Sequence, residues 1–266
     1  MHNGDDTANY LALGYRVIAI EADPMQAEKG TERFKEYIAN GKLSILNVGV
    51  ADKSGEFDFY INEKNPEWNS FDLAIASRDG LPWHAIKIKA KSFDQVIKEN
   101  GVPYYLKVDI EGHDYLCIRG LDPNDLPKFI SVEGNEVGLI DQLSEKGFSK
   151  FKIISQYNFA HLDLSPNKYF NRWLMAYKMR QWNSLPAKVF RKLGGSVFIR
   201  WLDGRAIPQN AKGFLPGTSG NFGDELGGTW QDAEVSKRIY RYNEQLFQSL
   251  PNMKHYAFWV DIHATW

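Results

Sequence analysis

Three acidic side chains stand where apolar runs end: Glu21 after Val17 to Ile20, Asp109 after Tyr104 to Val108, and Glu133 after Phe129 to Val132. In open parallel sheets ligands bind beyond the carboxyl ends of the strands, so carboxylates delivered there are the first to weigh as functional. Glu21 comes seventeen positions after Gly4, about where a carboxylate accepts hydrogen bonds from a ribose diol. That chemistry would serve any adenosine cofactor, and a strand-end acid capping its own turn is the equal alternative. The turn after the second run is denser. Leu106-Lys107-Val108-Asp109-Ile110-Glu111-Gly112-His113-Asp114 brings three acids, a histidine and a lysine together at the end of a buried strand.

The elements that must carry these residues alternate. As far as about Tyr157, apolar runs of strand length are followed by amphipathic stretches of helix length, the pattern of a parallel α/β sheet. Asp23-Pro24 supplies a cap and a first helical residue after Glu21. Phe34, Tyr37 and Ile38 share one face of the helix that follows, and Asn40-Gly41 stops it. Leu43 to Val50 reads as the next strand, and Phe57, Phe59 and Ile61 alternate as a half-exposed one. Ser92 caps a helix ended by Gly101; Leu139, Ile140 and Leu143 mark another, closed at Gly147. Lys152 to Ser155 begins a strand whose natural partner is the final run, Tyr256 to Ile262. Between these two the rhythm breaks. Residues 165–212 hold ten basic side chains against one acid, Asp203, with Tyr169, Trp173 and Tyr177 at helical spacing, and a glycine-rich loop follows.

The run LKVDIEGHD, followed by Leu116, Ile118, Arg119 and Gly120, closely resembles the signature of FkbM-type methyltransferases. Ile18 to Pro24 is similar to that family's second-strand motif, Asn47 to Asp52 to its third, and Trp68-Asn69-Ser70 to the polar loop beyond. Ser219 to Gly223 and Trp259 to Ala264 resemble features of one branch of the group. The resemblance implies a Rossmann-like sheet, mostly parallel with an antiparallel final strand, and methyl transfer from S-adenosylmethionine, with a hydroxyl oxygen as acceptor. Under it Glu21 would hold the ribose with Ala22 beside it, the turn at Asn3 and Gly4 would approach the methionine part, Asp52 would lie near the adenine, and Asp109 would border the cofactor. Because the sulfonium is already activated, the protein has only to align the acceptor and take up a proton. His113 is the first candidate for that proton, with Asp109 or Glu111 orienting it and Lys107 holding one acid ionised. The alternatives are that Lys107 merely snorkels from its strand, and that Glu111 and His113 cap the helix beginning near Asp114. A magnesium ion on Asp109 and Glu111 is a lesser option; methyl transfer itself calls for no metal. Asp261 and His263 share a strand face and read as a satisfied structural pair rather than as catalysts.

The family pattern opens with an apolar strand ending in Asp-x-Gly, and this chain begins after it, at what resembles the second half of the turn. The expected organisation is therefore a cofactor-binding core over 1–164 with its first strand missing or truncated, an inserted basic, aromatic subdomain over 165–251, and a final strand in 252–266 that returns to the core. A net charge of −1 provides no bulk field for nucleic acid. The basic insertion instead suits a small-molecule or glycan acceptor, anionic or lipid-linked, or peripheral contact with an anionic membrane. One cysteine, Cys117, rules out an internal disulfide and a multi-cysteine zinc site; with no apolar leader, a cytoplasmic protein is expected. The competing class is a non-catalytic relative that has lost the cofactor and binds a glycan or partner. A nicotinamide dehydrogenase is weaker still, since Gly4 stands without a Gly-x-Gly-x-x-Gly.

Overall fold

The structure is a computed structural model that describes residues 3–110, 112–156, 159–164, 189, 192–193, 220–249 and 258–266. It divides into two compact units, Met1–Val102 with Asp109–Leu126, and Pro103–Val108 with Pro127–Trp266.

The first unit alternates as expected. Helix α1 (Asp5–Ala12) leads to strand β1 (Val17–Ile20), helices α2 (Pro24–Arg33) and α3 (Lys35–Ala39), and strand β2 (Leu43–Leu46), which pairs with β1 in parallel. Asp23 caps α2 by accepting the Met25 amide at 2.8 Å, and Pro24 opens it. The α2–α3 pair corrects the expectation of one continuous helix: the backbone breaks at Phe34 (φ −113°), whose ring is buried with Leu11, Ala19 and Leu43. The run expected as a single strand is likewise divided. After β2 the chain turns at Asn47 and Val48, and β3 (Gly49–Val50) joins a second sheet beside β5 (Trp83–Lys91), which pairs antiparallel with β4 (Gly55–Asn62). Phe59, Ile61 and Ile88 form that sheet's core, with Ala22 packed against them. Helices α4 (Leu73–Ala76), α5 (Phe93–Asn100) and α6 (Asp114–Arg119) complete the unit.

The second unit is built on four strands in the order β6 (Tyr105–Val108), β7 (Phe129–Glu133), β9 (Val260–Thr265) and β8 (Lys150–Ser155). The final strand does return to the sheet, antiparallel, but lies between β7 and β8 instead of beside β8 alone. Register gives the sheet two unlike faces. Leu106, Val108, Ile130, Val132, Ile262, Ala264, Phe151 and Ile153 face one way; Lys107, Ser131, His263 and Lys152 form a polar row across the other. Helix α7 (Gly138–Lys146) and helix α8 (Ala233–Gln248) belong to the same unit. Residues 220–249, the longest described stretch of the expected insertion, thus group with this sheet, and the Tyr240 hydroxyl donates to the Gly134 carbonyl at 2.8 Å.

Among the described residues the strands form three small sheets with three parallel and three antiparallel pairings, in place of the mostly parallel sheet expected: a mixed α/β protein. The antiparallel share comes from the β4–β5 pair and from β9 entering between β7 and β8. Among the described residues no strand precedes β1, and no helix is long and apolar enough to cross a membrane.

Candidate active site

Glu21 stands at the tip of β1, its amide still paired with the Leu46 carbonyl at 3.0 Å. Its Oε1 accepts the Asp23 amide at 2.9 Å, so the same turn that starts α2 also fixes this carboxylate. The main chain is held from the next strand: Asn47 Nδ2 donates to the carbonyls of Glu21 at 2.9 Å and Ala22 at 3.4 Å. These bonds fall where the run breaks between β2 and β3. Asp23 is itself buried, and its second oxygen accepts Asn69 Nδ2 at 2.9 Å. Asn69 Oδ1 in turn takes the Asn62 amide at 2.8 Å, and Asn62 Nδ2 reaches the Ala76 carbonyl at 2.7 Å. The polar loop Trp68-Asn69-Ser70 is therefore wired to the Glu21 turn. Sequence reading missed Asn62, and gave Asn47 a place in the third motif but no role.

Gly4 is buried and left-handed (φ 80°), a conformation open to glycine at little cost, and starts α1. Asn3 is exposed, and its side chain serves that helix start. Its Oδ1 accepts the Asp5 amide at 3.0 Å, its Nδ2 donates to Asp5 Oδ2, and Arg33 reaches both the Asn3 carbonyl and Asp5. Asp52, expected near the adenine, is exposed and ion-paired with Arg119 of α6. The Arg119 guanidinium also lies 5.8 Å from the Tyr115 ring.

The signature turn is closed by a residue given no role in advance. Asp114 is buried and its Oδ1 accepts the Ile110 amide at 3.1 Å, drawing the ends of the turn together. Gly112 supplies the left-handed bend (φ 84°). His113 is half-buried and precedes α6, yet its side chain makes no capping hydrogen bond to that helix. The capping alternative for His113 therefore does not hold. Asp109 is exposed in the same compact unit as Glu21, while Lys107 lies on β6, registered opposite Ser131. Glu111, and the segment 165–212 with Tyr169, Trp173 and Tyr177, lie outside the described residues apart from positions 189, 192 and 193. Cys117 is buried beneath the turn, where burial and Asp114 push its thiol pKa up, as suits a core residue and not a nucleophile.

Asp261 and His263 are both buried, but His263 Nε2 and Asp261 Oδ2 are 4.0 Å apart and Nε2 has no hydrogen-bond partner. They are not the mutually satisfied pair expected. No group of three or more potential metal-ligating side chains occurs among the described residues.

A mixed α/β chain with carboxylates on strand tips and a Lys-x-Asp-x-Glu-Gly-His turn has the layout of a nucleoside-binding enzyme. The chain belongs to the FkbM methyltransferase family: the model of the Methyltransferase FkbM domain matches residues 1–184. That membership implies a Rossmann-like methyltransferase fold and S-adenosylmethionine as methyl donor. No curated protein and no solved structure matches the chain.

Proposed function

We propose that the protein transfers the methyl group of S-adenosylmethionine to a hydroxyl oxygen on a sugar, glycan or secondary metabolite. The supporting observation is Glu21: a strand-tip carboxylate whose orientation is set by its own turn, as a pair of ribose hydroxyls requires of an acceptor. The residues present fit the cofactor in kind, an acid for the diol and a left-handed glycine turn at Gly4 where a methionine moiety could approach the backbone. When bound, the cofactor supplies an activated methyl group. The chain's own task is to seat the acceptor and take its proton, for which His113 is the assigned base, with Asp109 or Glu111 orienting it and Lys107 holding one of those acids ionised. Asn3, Ala22 and Asp52 complete the proposed cofactor contacts, Asp52 as a carboxylate already anchored by Arg119.

The test is calorimetric. The protein should bind S-adenosylmethionine, and Glu21→Ala should weaken binding roughly ten- to a hundred-fold, the worth of about 1.5–3 kcal/mol in charge-assisted hydrogen bonds. His113→Ala should keep that affinity and lose most methyl transfer to labelled extract. Absence of cofactor binding in the wild type would favour the non-catalytic reading, and unchanged affinity in Glu21→Ala would remove Glu21 from the site.

A further inference from the structure

Beside the signature turn stands an aromatic side chain to which the assignment above gives no part. Tyr115 is the second residue of α6 and is 39% exposed, although Leu116, Cys117 and Ile118 after it are buried. The short helix turns those three inward and leaves Tyr115 and Arg119, four positions apart, as neighbours on its outer face. Two polar groups border the Tyr115 ring. The His113 imidazole lies 6.3 Å away between centroids, tilted by 31°, and the Arg119 guanidinium lies 5.8 Å from the ring centroid. Arg119 is tied to Asp52 by an ion pair, yet its side chain remains 59% exposed. A second apolar group borders the turn that carries His113: Ile75 Cδ1 of α4 is 3.4 Å from where a Cβ on Gly112 would stand. All of these residues belong to the first compact unit, as Glu21 and Gly4 do.

An aromatic face with hydrogen-bonding groups beside it has the chemistry of a sugar-binding surface. A sugar ring presents a face of C–H bonds, which packs on the negative face of an aromatic ring, and a rim of hydroxyls that both donate and accept. The guanidinium carries its donors in a fixed fork, and at an exposed head group a sugar hydroxyl can replace water. The imidazole can take the proton of the hydroxyl that reacts. A simple phenol would gain the stacking but has no second hydroxyl for Arg119.

We infer that Tyr115 binds the acceptor, as the surface on which a sugar ring lies with one hydroxyl toward His113 and another toward Arg119. This rests on the methyl-transfer reading and deepens it, naming sugars as the acceptor class and a residue that holds them.

The full chain is tested with labelled S-adenosylmethionine and a panel of methyl glycosides, with simple phenols as controls. Methyl glycosides should take up the label. Tyr115→Ala should raise KM for them roughly tenfold or more while kcat falls less than about threefold, the mark of lost binding shared by ground and transition states. Tyr115→Phe, which keeps the ring, should stay within about twofold of wild type in both. A fall in kcat at constant KM would make Tyr115 a support for His113 and overturn the inference. Preference for phenols overturns it too, as do glycosides left unmethylated by a protein that binds the cofactor. Saturation-transfer NMR on the wild type gives a readout that needs no variant: C–H protons on one face of the glycoside should receive the most saturation, and equal saturation of both faces counts against a sugar lying on Tyr115. Glycoside binding that depends on Tyr115 in a protein without affinity for S-adenosylmethionine would sink methyl transfer and leave the sugar surface standing.

Discussion

Glu21 and Glu133 each end a strand that pairs in parallel with a neighbour, one in each compact unit, and they are held by different means. The Glu21 carboxylate is fixed by an amide two residues on, and its main chain by Asn47 of the next strand. One side of Glu133 is held by Asn135, also two residues on, but the other depends on Trp259, 126 positions later. What lies beneath differs as well. Beside β1 are Leu11, Ala19, Phe34 and Leu43, while the Glu133 strand contributes Ser131 to a polar row that runs through His263 of β9 to Lys152 of β8. The contrast teaches that the first carboxylate can be placed by one β–turn–α unit and the segment beside it, whereas the second waits on long-range closure, whose entropy must be met before its contacts form.

Acid should separate the two regions most. Burial, with the Lys152 ammonium adding to it, pushes the His263 pKa from 6.5 down to about 3. The unfolded chain then binds a proton that the folded one refuses, so stability falls as pH drops below 6.5, by up to about 1.4 kcal/mol per pH unit. Burial likewise lowers Lys152 to about 8, with Asp224 opposing it, so a second rise in stability is expected from pH 8 towards 10.5. Native-state hydrogen exchange, corrected for intrinsic rates, should show protection of the β7, β8 and β9 amides decaying from pH 6.5 to 4, while β1 and β2 decay less. His263→Gln should flatten that slope. Equal slopes in both sheets would mean that the two regions open as one, and the comparison would fail.

The position after each acid offers a second contrast. Glu21 is followed by Ala22 and Glu133 by Gly134, where an added Cβ would come 2.7 Å from Val260 Cγ2 and 2.9 Å from the Val260 carbonyl oxygen. Backbone on one side leaves little to yield, so Gly134→Ala should cost about 2–3 kcal/mol in denaturant unfolding, at the upper end for overpacking. The mirror change, Ala22→Gly, removes one methyl packed beside Phe59 and Ile61 and should cost about 1 kcal/mol. Similar losses at both would show the Glu133 tip to be no tighter than the Glu21 tip.

Legibility followed the same divide. Asp23 as cap, Pro24 as first helical residue and the stops at Gly41, Gly101 and Gly147 were readable because each acts on the backbone beside it. Glu21 was readable for that reason too. The break after Leu46 was not, since Asn47 turns aside to serve carbonyls 25 and 26 positions earlier. Strand β5 was overlooked although Ile86, Ile88 and Ala90 alternate, because lysines at 87, 89 and 91 disguise it as a charged stretch. The entry of β9 beside β7, and with it the clamp of Trp259 on Glu133, is a matter of register between distant segments. No local pattern encodes that. In the signature turn Asp114 was readable as the start of a helix, which it is, but not as the side chain that closes the turn on the Ile110 amide.

Asn69 supports the Glu21 turn from a distance through Asp23 and gives the finest discrimination. Its amide holds the buried Asp23 carboxylate, and its carbonyl oxygen takes the Asn62 amide. Asn69→Ala removes both bonds but leaves Asp23 its cap on α2 and Glu21 its bond from the Asp23 amide. The expected loss in urea unfolding is about 1 kcal/mol, the net worth of an ordinary hydrogen bond or two. Affinity for S-adenosylmethionine should change less than twofold if the carboxylate is set locally. A tenfold loss of affinity would show that the Glu21 tip, like the Glu133 tip, is held from afar.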